Sequence, residues 1–172
     1  MRTEIFALFV GMVYLSAGLL GLNPAALMPP PVDAPPIKVS LLYGYLFGLF
    51  PVNLPHSAVH IAIGVWGLVA WRRVATSRLF ARSLAIFYAA LALIGLIPGM
   101  NTLYGILPLH GHDVWLHGIT AGVAIYFGWL PEVERRAAPI ADRREQSVPI
   151  AEERRQSHPD RRLPSVFGNE ER

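Results

Sequence analysis

Four apolar stretches, residues 5–22, 54–71, 79–97 and 114–130, decide what this 172-residue chain can become. Bilayer hydrocarbon is about 30 Å thick and takes about 17 to 25 mostly apolar residues to cross as a helix, a length each stretch has. Lipid offers the backbone no hydrogen-bond partner, so such segments must satisfy their own groups as helices. Charge agrees with this solvent: Asp, Glu, Lys and Arg make up 16% of the chain, where a soluble domain has about a quarter, and 53% is hydrophobic. The fold class expected is all-α, a four-helix transmembrane bundle with a short interfacial or re-entrant segment and a disordered C-terminal tail. Residues 1–130 form the membrane domain and residues 131–172 the polar tail.

The first stretch is expected as an uncleaved span and not a signal peptide, because Glu4 stands beside Arg2 and no small-residue cleavage site follows. Residues 39–52 (VSLLYGYLFGLFPV) are too short to cross and are expected to lie at the interface or re-enter. Orientation follows from charge. Arg72, Arg73, Arg78 and Arg82 place the connection between the second and third spans in the cytoplasm, and four spans put both termini there too. The address implied is a bacterial inner membrane. Residues 23–36 (NPAALMPPPVDAPP) make an extended, Pro-rich outside connection. In the tail, PIADRREQS recurs as PIAEERRQS, which reads as a solvated polyampholyte. The net charge of +3 arises before residue 131, where six basic groups face three acidic ones, so nucleic acid is not an expected partner. The partners expected are the lipid bilayer and a membrane-protein assembly or a second copy of the chain.

Close helix packing in lipid needs small residues. Candidates are Ala81, Ala85 and Ala89 in the third span, Gly118 and Gly122 in the fourth, and Gly44 and Gly48 in the short segment. Trp115 suits the outer aromatic belt, and Trp71 and Trp129 the inner one.

Five of the six histidines fall in two clusters, His56 with His60 and His110 with His112 and His117. Spacing of four residues sets side chains on one helical face, so His56 pairs with His60 and Asp113 pairs with His117 on a second helix at similar depth. Three imidazoles and one carboxylate suffice for a zinc or copper site with no thiolate, which matters because the chain has no cysteine. His60 and His117 are also candidates for axial ligation of haem or of the magnesium in a chlorin pigment. Proton relay is a third option. A plainer reading is favoured over all three: Asp113 caps the fourth helix, Asn53 caps the second, and the imidazoles hydrogen-bond between helices. Ser57 reads as a packing residue. Catalytic motifs are missing, since HExxH, GxxxxGK[ST], GxGxxG and GxSxG do not occur.

Three blocks carry a resemblance. GLFPVN followed by His56 and His60, GLIPGMNTLYG at residues 95–105, and LPLHGHDVWLH at residues 107–117 occur in that order. In this the chain resembles a bacterial integral-membrane family known as domain of unknown function 4383. The resemblance covers roughly residues 1–130 and implies a four-span membrane fold with no established activity; His110 and His112 fall at its more variable positions. The function expected is therefore a structural or accessory membrane subunit with a His/Asp cluster under the outer surface. The alternatives are a metal-, haem- or pigment-binding protein and a small transporter or proton-coupled enzyme.

Overall fold

The computed structural model describes residues 3–137, with side chains through residue 129. Its helices are α1 (Thr3–Gly21), α2 (Leu54–Ala70), α3 (Val74–Leu96) and α4 (His112–Ala137). Two of them, α1 with 19 residues and α3 with 23, are long and apolar enough to cross a membrane, and α2 is a shorter apolar helix. The helices start and stop near the expected spans with two differences. α3 begins at Val74, so Arg78 and Arg82 lie inside it and the link from α2 is a tight turn. α4 continues to Ala137 through Pro131, so residues 131–137 are helix and not the start of a disordered tail. The duplicated tail motif and His158 lie outside the described residues.

All four helices contribute to one core. At one end an aromatic layer joins them: Phe6 stacks on Phe127 at 4.7 Å, and Trp66 meets Phe80 edge-on at 5.3 Å. Thr3 Oγ1 donates to the Phe127 carbonyl at 3.4 Å, which ties the start of α1 to the later half of α4. Nearby, Arg82 Nε donates to the Gly128 carbonyl at 3.0 Å and its guanidinium lies 5.4 Å over Trp129. Ala81 and Ala85 are buried as expected, and Ala89 packs against the same core. Gly118 and Gly122, by contrast, have nothing near the position of a Cβ and face outward. The close helix contact is elsewhere. A Cβ on Gly11 would stand 2.8 Å from Leu68 N, and one on Gly67 would stand 2.7 Å from Gly11 Cα, so α1 and α2 touch backbone to backbone. The outward faces remain apolar: Phe9 is 58% exposed, Ile86 68% and Ile119 65%.

Residues 39–52 form no helix. They hold β2 (Gly44–Leu46) and β3 (Phe50–Val52), an antiparallel hairpin, and β2 also pairs with β1 (Leu27–Met28) from the Pro-rich connection. The class is thus mostly helical with a small three-stranded cap, not all-α. Phe47 (φ 55°) and Gly48 (φ 71°) take left-handed conformations that turn the hairpin and would break a helix. This cap joins the three sequence blocks. Lys38 N and Val39 N donate to the Gly105 carbonyl, Leu109 N donates to the Asn101 carbonyl at 2.8 Å, and Asn53 Nδ2 donates to the carbonyls of Val39 and Ile106 at 2.9 and 2.8 Å.

Candidate metal centre

Beneath the cap, each helix places a polar ring in one layer: Tyr14 from α1, His56 and His60 from α2, Tyr88 from α3 and His117 from α4. All are buried. The start of α2 is fixed by Asn53, whose side-chain oxygen accepts from His56 N at 3.1 Å, the cap the sequence predicts. Helical rise then brings His60 one turn below His56 on the same face. On α4 the outcome differs from expectation, because the helix begins at His112 and Asp113 lies within its first turn. Asp113 is therefore not the N-cap; it is 1% exposed and looks toward the histidines.

His56 Nε2 and His60 Nε2 are 3.1 Å apart. His117 Nε2 lies 3.4 Å from Asp113 Oδ2, and His56 Nε2 lies 4.0 Å from the same oxygen. One ring nitrogen from each of His56, His60 and His117 falls within 4.8 Å of the others. Ligands bound at about 2.0–2.1 Å in a regular tetrahedron are separated by about 3.3–3.4 Å, so the His56–His60 and His117–Asp113 separations are near ligand spacing. The four residues singled out in the sequence are the four the fold brings together.

The interhelical hydrogen bonds expected from the plainer reading are few. Both nitrogens of His117, Nδ1 of His60 and Oδ2 of Asp113 are buried without a hydrogen-bond partner among the described residues. Each such atom left unpaired costs about 1–3 kcal/mol. A cation at the centre would accept the imidazole lone pairs and neutralise the buried carboxylate.

His110 and His112 stand apart. His110 is buried in the loop before α4 with its ring 6.2 Å from Tyr45, and burial holds it below the ordinary imidazole range; His112 is exposed. Ser57 is fully buried against Gly21, in keeping with a packing role. Two participants escape the sequence reading, Tyr14 and Tyr88. Their signal was a polar-tipped ring inside an apolar span. Tyr14 Oη and Thr120 Oγ1 share a hydrogen bond of 2.9 Å between α1 and α4.

One family, described as "Domain of unknown function (DUF4383)", matches residues 4–130. No curated protein and no solved structure matches the chain.

Proposed function

Since the chain belongs to the DUF4383 family, whose matched region contains the whole quartet, we propose that it is a multi-pass membrane protein with a structural zinc-type centre made by His56, His60, Asp113 and His117. The observation that carries this reading is the convergence of three buried imidazoles and a buried carboxylate, in which His56 Nε2 and His60 Nε2 lie 3.1 Å apart while both His117 nitrogens and Asp113 Oδ2 have no hydrogen-bond partner among the described residues. Four protein ligands close the coordination sphere of Zn²⁺, which is the arrangement of structural rather than catalytic zinc. The ion fastens the start of α2 to the start of α4 and so holds two helices that lipid alone gives little reason to associate. Zn²⁺ with three neutral imidazoles and one carboxylate leaves a single positive charge, a smaller burden than a bare buried carboxylate beside three unpaired rings.

The membrane setting is a bacterial inner membrane crossed by all four helices, with the basic turn after α2 on the cytoplasmic side and the cap outside. The outward apolar faces and the concentration of Arg72, Arg73 and Arg78 at one end support it. Purification in mild detergent followed by elemental analysis tests the centre. About one zinc per chain is expected, lost in His60→Ala and in His117→Ala. Metal-free protein whose melting temperature does not respond to added zinc would end the proposal, and a Soret band would replace it with haem.

A further inference from the structure

Where α2, α3 and α4 meet the loop that precedes α4, the side chains leave a cavity of about 220 Å³. α2 lines it with His56 and His60, α3 with Tyr88 and Leu91, α4 with His117, and the loop with Leu109. Its wall presents no polar surface, so the imidazoles and the phenol ring meet the space with carbon, and their nitrogens and oxygen do not open into it. Leu109 and Tyr88 are 1% exposed and His117 0%, so these sides of the wall are interior and not a dent in the outer surface.

A space of this size is an exception to how protein interiors pack, since they are as dense as organic crystals and hold few voids larger than a water molecule. Water does not suit it. An ordered buried water takes about two to four polar partners, and this wall supplies none. An apolar cavity of about 150 Å³ is known to stay dry and to take benzene or xenon, so the volume here is ample for a guest of that kind. Chemistry narrows the guest further. A molecule with a hydroxyl, amine or carboxyl group would give up its hydrogen bonds to water and find no replacement in the wall. A long hydrocarbon chain exceeds the space.

We propose that this cavity is a binding site for one compact apolar molecule without hydrogen-bonding groups, in the size class of benzene or a dissolved gas. Dispersion contacts with the leucines and with the faces of the aromatic rings hold the guest, and burial of its own apolar surface drives it in. The site goes beyond the zinc reading and does not need it, because the wall meets the guest with carbon whether or not an ion sits among the nitrogens.

Xenon NMR of the full chain in detergent tests the site. A resonance distinct from xenon in water and in empty micelles is expected, and it should saturate with xenon pressure. Benzene should displace it, phenol about tenfold or more weakly because its hydroxyl goes unpaired, and dodecane not at all. Leu109→Trp fills the space with an indole and Leu91→Phe fills it more gently, so the resonance should vanish in whichever of the two folds. Absence of a distinct resonance, or its survival in a folded Leu91→Phe protein, would overturn the proposal. Phenol matching benzene would reveal a polar partner in the wall, and displacement by dodecane would make the space a groove for acyl chains; either result defeats it. The same spectra on chelator-treated protein separate the two readings: a xenon site in a protein that never held zinc keeps the cavity and ends the metal centre, and zinc without a xenon site does the reverse.

Discussion

Asn53 shows how much a single buried amide can organise. Its oxygen caps α2 at His56 N while its nitrogen donates to two carbonyls, Val39 from the connection before the hairpin and Ile106 from the loop before α4. The cap was legible, because Asn ahead of Leu54-Pro55 is a helix-start signature. The other two bonds were not, since they join positions 14 and 53 residues away. Asn53→Ala leaves both carbonyls unpaired and removes the cap, so it should destabilise by about 2–4 kcal/mol. Asn53→Asp keeps the acceptor for His56 N and loses the two donors, so it should fall between wild type and Asn53→Ala in detergent unfolding. Zinc content should fall in the same order, because the cap sets where His56 and His60 point. A change of less than 0.5 kcal/mol in Asn53→Ala would show that the amide is incidental, by the usual effect of an ordinary surface substitution. The clustering of His56, His60 and His117 near Asp113 was readable from spacing, through two i, i+4 pairs on separate helices. Tyr14 and Tyr88 were not, since nothing local marks which tyrosine of an apolar helix turns inward.

At the scale of elements, small residues four apart pointed to Ala81, Ala85 and Ala89, which do pack in the core, to Gly44 with Gly48, and to Gly118 with Gly122, which face outward. The α1–α2 contact instead uses Gly11 against Gly64 and Gly67 and Gly18 against Ser57 and Ile61, the glycines being seven apart on α1 and three apart on α2. Seven residues are two turns, so Gly11 and Gly18 share a face that a search for fours passes over. A contrast follows. Gly64→Ala places a methyl group against the Leu15 backbone, which cannot yield as a side chain can, so α1 and α2 must separate. Gly118→Ala and Gly122→Ala meet nothing within 4 Å and replace a poor helix former with the best one. Melting temperatures should therefore drop clearly for Gly64→Ala and hold or rise for the two others; equal behaviour of all three would refute this account of the α1–α2 contact. The hairpin escaped for a related reason. Residues 39–52 are apolar enough for a helix, and what prevents one is strand pairing with Leu27–Met28 and the left-handed turn at Phe47 and Gly48, neither of which an apolar run announces.

The whole molecule sorts its chemistry by end. Aromatic packing and arginine gather where α1 begins and α4 runs on past Phe127, while the polar layer and its cap occupy the other end. Arg82 was counted among the topology-setting charges, yet its bonds to Gly128 and Trp129 give it a packing role, so it belongs outside any test of charge alone. Arg72 and Arg73 remain as exposed charges at that end, and Arg78 as a half-buried one. If lipid is the solvent and positive charge stays inside, Val32, which is 109% exposed in the connection before the hairpin, faces the exterior. The chain lacks cysteine, so Val32→Cys creates a unique label site. A membrane-impermeant maleimide should modify it in intact cells. Replacing Arg72, Arg73 and Arg78 together with Gln in that background should reduce labelling, because it removes the charge bias that orients the spans. Labelling of Val32→Cys only after permeabilisation would invert the orientation and move the proposed zinc centre to the inner leaflet.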